Sequence, residues 1–217
     1  MLNQVSISPL TAHLKKFLRP SKRTKLLLVR NCESQGNLGG TLTGWTNVHL
    51  SDFGRKQAFT ISPAYEQFKD EIDTVHCSDL QRSFDTAFYA MAFPAHDDEI
   101  VESPYLREIN FGEDEGLHFD NLPNSQKEAF SDPDYKAPGG EGWSDVKSRA
   151  ARYFSSLDAD KTHLIFTHGG LITSYLYDLG VEEMPPNGSL LGVYLKEEGT
   201  PESIDFEWHF PYIEEDI

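Results

Sequence analysis

Four consecutive aliphatic residues, Leu26-Leu27-Leu28-Val29, end abruptly in Arg30-Asn31-Cys32-Glu33-Ser34, with Gly36 and Asn37 just beyond. So short an apolar run, bounded by polar residues, fits a strand buried on both faces of a parallel sheet, although a short buried helix would read alike. In open α/β sheets, ligands sit beyond the carboxyl ends of such strands. A buried strand that delivers an arginine at its end is therefore a candidate anion site. Taken alone, Arg30 reads more simply as half of a surface ion pair.

The same pattern recurs twice. Residues 71–77 read as a second strand that runs into Ser78-Asp79-Leu80-Gln81-Arg82 and then a helix to about Phe93. Arg82 thus falls at a strand-to-helix junction, where helix N-terminal amides also favour anions. Leu164-Ile165-Phe166 reads as a third strand, ending at His168; Gly169-Gly170 opens a helix to about Asp178, with Gly180 as its stop. A single histidine there would more simply be structural. Together the three repeats point to a phosphate pocket at the carboxyl edge of an α/β sheet, with Arg30 and Arg82 gripping phosphate oxygens.

The connecting segments fill in the α/β pattern. Residues 38–50 read as a glycine-rich loop, and Ser51 as the N-cap of a helix over 52–69 that Pro63 kinks or splits. Glu108 lies between Leu106 and Ile109, and a carboxyl with apolar neighbours is a candidate general acid; alone it reads as a solvated loop acid. A short helix near 123–129, an amphipathic helix over 143–157 and a closing pair of strands at 189–196 and 203–209, as an edge hairpin, complete the chain.

A length of 217 residues suits one domain, here 25–217, preceded by a basic extension, 1–24. The net charge is −16, and it is uneven: residues 1–32 carry seven Lys/Arg and no acid, the remainder 12 basic and 35 acidic residues. That balance argues against a nucleic-acid partner, and an anionic substrate must be drawn by a local basic pocket. No apolar run reaches the length of a membrane span. Two cysteines make no disulfide framework, so an intracellular, cytoplasmic setting is expected. Residues 1–24, basic, acid-free and rich in Ser and Thr, read either as an organellar transit peptide or as a basic arm or short helix at 10–18 packed on the body. The eight histidines show no metal-ligand spacing, so neither metal nor cofactor is expected. Nothing in the sequence selects an oligomeric state, and a homodimer stays open.

These motifs, in this order, resemble the histidine phosphatase superfamily, the phosphoglycerate mutase-like proteins. The family's opening Arg-His-Gly-Glu-Ser/Thr motif appears as Arg30-Asn31-Cys32-Glu33-Ser34, with Asn37 in step. Its Gly-Trp block appears at Gly44-Trp45, its Ser-x-Leu-x-Arg block at Ser78–Arg82, and its Leu-x-Glu and Glu-Gly blocks at Leu106-Arg107-Glu108 and Glu115-Gly116. Gly139-Gly140-Glu141 and Thr167-His168-Gly169-Gly170 follow, so the likeness spans about 25–196. The resemblance implies a three-layer α/β/α sandwich with a mostly parallel central sheet. It also implies phosphoryl transfer through a phosphohistidine on the first-motif histidine. Arg30, Asn37, Arg82, His168 and Gly169 would hold the phosphoryl oxygens and Glu108 would protonate the leaving oxygen. The implied partner is a phosphorylated small molecule or phosphoester.

The nucleophile position holds Asn31, and a neutral amide cannot form a phosphohistidine. Loss of a nucleophile that acts as part of a unit costs about 10⁶ in kcat in a protease, or about 8 kcal/mol. Cys32 is a poor substitute: consecutive side chains on an extended segment point oppositely, and the Cys-x₅-Arg spacing of thiol phosphatases is absent. Cys32 is expected to fill space beneath the loop. Only 60 residues separate Glu108 from His168, which favours the phosphatase-like branch over the mutases, and 38–44 contains no Lys or Arg to meet a second anionic group. Three readings stay open. One is a phosphatase with an intact pocket, impaired by Asn31. Another is a pseudophosphatase that binds a phospholigand or a protein. The last is a phosphoglycerate mutase-type isomerase.

Overall fold

In the computed structural model, residues 8–93, 100–130, 132 and 134–210 are described. The elements run α1 (Ser8–Phe17), β1 (Lys25–Arg30), α2 (Gln35–Leu38), α3 (Asp52–Phe59), α4 (Ser62–Phe68), β2 (Thr74–Ser78) and α5 (Gln81–Ala90). There follow β3 (Ile100–Ser103), α6 (Asn124–Ala129), α7 (Trp143–Phe154), β4 (Thr162–Thr167), α8 (Gly169–Leu176), β5 (Leu190–Leu195) and β6 (Pro201–Trp208).

The aliphatic runs do become central strands. The six strands are ordered β3-β2-β4-β1-β5-β6. β1 pairs with β4 in parallel, Arg30 opposite Thr167, and β4 with β2, Cys77 opposite Phe166. β3 adds a further parallel strand, whereas β5 runs antiparallel to β1 and forms an antiparallel hairpin with β6. Because side chains alternate along β1, its residues serve two cores. Leu27 and Val29 face a layer built from α1, α3, α4 and α5, with Phe17, Ala58, Phe68 and Ala87. Leu26 and Leu28 face α7 and α8, with Val146, Phe154, Leu171 and Tyr175. The result is the expected three-layer α/β/α sandwich.

Several expectations shift at their edges. The helix over 52–69 is split into α3 and α4 by the turn at Thr60-Ile61, and Pro63 occupies the first turn of α4, where its missing N–H costs nothing. β2 begins at Thr74 rather than 71, because Lys69–Glu71 make a 3₁₀ turn. α5 stops at Ala90, since Ala92 and Phe93 take positive φ angles of 54° and 63°. Gly180 ends the α8 region with φ 91°, as a left-handed stop should. Strand β3 was not expected; it is a four-residue edge strand without an apolar run.

Of the first 24 residues, 8–17 form α1, whose Leu10, Leu14 and Phe17 are buried in the first core. Lys16 meets Asp205 at 3.1 Å and Arg23 meets Glu202 at 2.6 Å, so the basic segment pairs with acidic side chains of β6. Residues 1–7 lie outside the described residues. None of the described helices is long and apolar enough to cross a membrane.

Candidate active site

The carboxyl ends of β1 and β4 lie side by side, and this is what brings residues 30–31 to residues 167–168. The backbone N–H of Asn31 continues the ladder to the Thr167 carbonyl, at 2.8 Å. Asn31 Nδ2 donates to the Cys32 carbonyl at 2.9 Å. That bond sets the amide's orientation, since only the NH₂ end can face a carbonyl. Asn31 Oδ1 then faces His168 Nδ1 at 3.1 Å, so Nδ1 must be the protonated nitrogen. His168 is fully buried, and its other ring nitrogen, Nε2, has no partner among the described residues. Burial holds the ring's pKa well below its ordinary value, with Arg82, Arg149, Arg30 and Arg107 adding to the effect. His168 is therefore neutral and carries an unused lone pair at Nε2.

Arg30 reaches the Pro185 carbonyl through Nη1, while its Nε–H is buried and has no partner among the described residues. Burial lowers its pKa, opposed by the charge of Glu108. Gly169 makes room for it: a Cβ there would stand 2.9 Å from Arg30 Nε. Arg82 is buried at the first turn of α5 and is pushed down to about 10 by burial, so it stays cationic at neutral pH. Its guanidinium donates to the carbonyls of Thr43, Gly44 and Thr46 at 2.7–3.1 Å. This arginine thus also anchors the 43–46 loop.

Glu108 is buried beside this group. Its Oε1 accepts from the Ile109 N–H at 2.9 Å and its Oε2 from the Gly170 N–H at 3.0 Å. Gly170 is required by the fit, because a Cβ would sit 2.2 Å from Glu108 Oε1. Asn37, in contrast, is exposed and works on its own turn. Its Oδ1 accepts from the N–H and hydroxyl of Ser34 at 3.0 and 2.9 Å in a capping box on α2. Arg30, Asn31, Arg82, Glu108, His168 and Gly169 form one cluster; Asn37 is tied to it through Asn187, whose Nδ2 stands 3.5 Å from Asn37 Oδ1 and 2.8 Å from the Asn31 carbonyl.

Cys32 points away from this cluster into the first core and is fully buried. Its thiol is pushed far up by burial, which outweighs its hydrogen bond with Thr86 and the charge of Arg30. It is a packing residue with no thiolate to offer.

Three residues that sequence reasoning did not single out hold the site's walls. Glu115 accepts from the N–H groups of Gly44, Trp45, Thr46 and Phe111 and from the Thr46 hydroxyl, at 2.7–3.1 Å. Arg149 pairs with Glu141 at 2.8 Å and donates to the Tyr105 and Glu108 carbonyls. Asn187 closes the 184–188 segment over Asn31. Only the Glu115-Gly116 and Gly139-Gly140-Glu141 motifs hinted at this scaffolding. A cleft of about 690 Å³ opens at the opposite, amino edge of the sheet, between Lys15 and Arg19 on one wall and Asp70 and Glu71 on the other; none of the clustered residues lines it.

A cationic, largely buried cluster thus lies at the carboxyl edge of a mostly parallel sheet in an α/β protein. The sequence profile of the histidine phosphatase superfamily (branch 1) matches residues 26–189, most of the chain, and the chain belongs to that superfamily. Among curated relatives, the metal-independent phosphoserine phosphatase of Arabidopsis thaliana is 29% identical over 161 residues, covering 70% of this chain and 67% of the relative. The 2,3-bisphosphoglycerate-dependent phosphoglycerate mutase 2 of Gloeobacter violaceus is 29% identical over 165 residues, covering 71% and 74%. Among solved structures, a phosphoglycerate mutase from Thermus thermophilus superposes with a TM-score of 0.66 at 32% identity, covering 79% of this chain and 96% of that one.

Proposed function

We propose that this chain binds the phosphoryl group of a small phosphomonoester in the carboxyl-edge pocket and does not hydrolyse it through residue 31. The observation that carries this reading is the pair of buried, unpartnered polar atoms at the site, the Arg30 Nε–H donor and the His168 Nε2 acceptor. Buried polar groups are nearly always paired, so a donor and an acceptor left unpaired in one cluster call for a ligand that supplies both. A singly protonated phosphate does so: an unprotonated oxygen accepts from Arg30 and its hydroxyl donates to Nε2. Asn31 supplies no nucleophile, because its amide is held at both ends. Relatives named as a phosphoserine phosphatase and a phosphoglycerate mutase support a phosphorylated small molecule as the ligand.

The protonation state makes this testable. With His168 neutral, the complex holds one proton that a phosphomonoester dianion does not bring. The monoester's second pKa is about 6, so affinity should fall roughly tenfold per pH unit above that value. Titration calorimetry should show that O-phosphoserine takes up a proton on binding, that inorganic phosphate, which brings its own hydroxyl, binds without that uptake above pH 7, and that both are lost in Arg30→Met. Affinity that rises with pH, or absence of binding at millimolar ligand, would refute the reading.

The mutase reading rests on the mutase relatives. Against it, the 38–44 loop offers no cation for a second anionic group.

A further inference from the structure

Within the pocket proposed above, the imidazole nitrogen equipped for attack on phosphorus belongs to residue 168, not to position 31. A nucleophilic histidine needs a neutral ring, a free lone pair, and a third group that holds the other nitrogen's proton. His168 has all of these. Asn31 Oδ1 holds the Nδ1 proton at 3.1 Å, and the Cys32 carbonyl keeps the amide from turning round. Nε2 is buried and has no partner, whereas a structural histidine in such a place has both nitrogens engaged. Burial and the surrounding arginines keep the ring unprotonated.

The neighbours suit phosphoryl transfer. The Arg30 guanidinium lies against Gly169, the next residue along, with its Nε–H buried and unpaired among the described residues. Glu108 is seated on the Gly170 N–H, one residue further, so cation, nucleophile and carboxyl converge on residues 168–170. The substitution that removes the first-motif nucleophile thus installs an orienting amide for the second histidine.

We infer that His168 Nε2 accepts the phosphoryl group and that the chain forms a phosphohistidine at position 168. In this step the donor's phosphoryl group places no hydroxyl on Nε2, and the Nε2 lone pair forms the P–N bond. The bond from phosphorus to the leaving oxygen breaks, and the electron pair goes to that oxygen. The proton on Nδ1 stays in place and Asn31 Oδ1 stabilises the cationic ring. An alcohol leaving group takes its proton from water; an acyl phosphate leaves as a carboxylate and needs none. The inference rests on the phosphate-pocket reading and goes beyond it by naming the acceptor atom.

The test is covalent labelling of the full chain with acetyl phosphate as donor. Intact mass at neutral pH reads the gain of one phosphoryl group, and tandem mass spectrometry of the digested protein maps the label without relying on any variant to fold. The parent should carry an acid-labile, base-stable label at His168, absent from His168→Gln, while Asn31→His should carry label at position 31. An unlabelled parent beside an Asn31→His variant labelled at 31 overturns the His168 assignment and leaves the pocket reading standing. Label in the parent mapping to another residue also overturns it. Absence of label in both parent and Asn31→His overturns the pocket reading and the His168 assignment together.

Discussion

Asn31 keeps two of the contacts open to an imidazole at that place, a donor to the Cys32 carbonyl and an approach to His168, but it has no lone-pair nitrogen to offer phosphorus. The neighbouring glycines are set by closer tolerances. At Gly170 a Cβ would overlap Glu108 Oε1 at 2.2 Å and press on Trp143 at 3.2 Å. Gly170→Ala should therefore expel the carboxylate and strand two buried N–H groups, at a cost of about 3 kcal/mol measured by urea unfolding. An unchanged midpoint would show that Glu108 is not wedged there. Arg30 and His168 stand out in the sequence because each follows an apolar run; Arg82 and Glu108 follow mixed segments and were singled out by a strand-to-helix junction and by apolar neighbours. Glu115 was not, because its partners are backbone N–H groups of a loop some seventy residues away, and backbone contacts leave no mark on residue type. The capping role of the Asn37 carbonyl was likewise not legible, because its partners are the backbone and hydroxyl of its own turn.

At the scale of elements, β2 and β4 share a one-way chain of hydrogen bonds with α7. His163 Nε2 stands 2.9 Å from the Asp158 carbonyl and must donate, so its Nδ1 accepts from the Thr74 hydroxyl at 2.7 Å. The Thr74 oxygen then accepts from His76 Nε2 at 2.7 Å, and His76 Nδ1 accepts from the Tyr153 hydroxyl at 2.9 Å. Every link requires neutral rings. Burial, with the charge of His163 adding to it, pushes His76 down to about 4, and burial lowers His163 as well. A histidine whose pKa is lower folded than unfolded stabilises the fold fully above about 6.5, and that stabilisation is lost as pH falls toward 4. The parent should lose about 3 kcal/mol through His76 across this window, at about 1.4 kcal/mol per unit. His76→Gln should start less stable at pH 7 and show a shallower slope in urea unfolding between pH 7 and 4. Parallel pH profiles would contradict the account. Strands β1 and β4 were legible as short aliphatic runs. β3 was not, since Ile100–Ser103 is a half-exposed edge with Val101 and Glu102 facing solvent. Boundaries such as the 3₁₀ turn before β2 depend on local geometry that residue type leaves open.

The whole molecule is a sheet covered on both faces, and α1 is part of that cover. Phe17 lies 4.9 Å from the Tyr194 ring and 5.5 Å from the Phe206 ring, closing the layer over the β5–β6 hairpin. The charge asymmetry read from the sequence, a basic start and an acidic remainder, thus has a partial structural outlet in the pairs of α1 and its following segment with β6. Phe17→Ala should destabilise the domain by about 3–5 kcal/mol, whereas Lys16→Ala, which removes one arm of an exposed pair, should cost under about 1 kcal/mol. Equal effects in a denaturant series would mean that α1 is held by charge and not by packing. The layered class was legible from strand and helix alternation; the strand order, with β4 inserted between β1 and β2, was not, because it depends on where each crossover returns. That insertion is what sets Asn31 against His168 and makes the pocket. Its integrity is the central claim, and the most direct measurement is hydrolysis of a panel of phosphate monoesters by the parent and by Asn31→His. The account predicts turnover by the variant and a rate lower by several orders of magnitude, about 10⁶ at the limit, in the parent. Equal turnover by the two, or none by either, would contradict it.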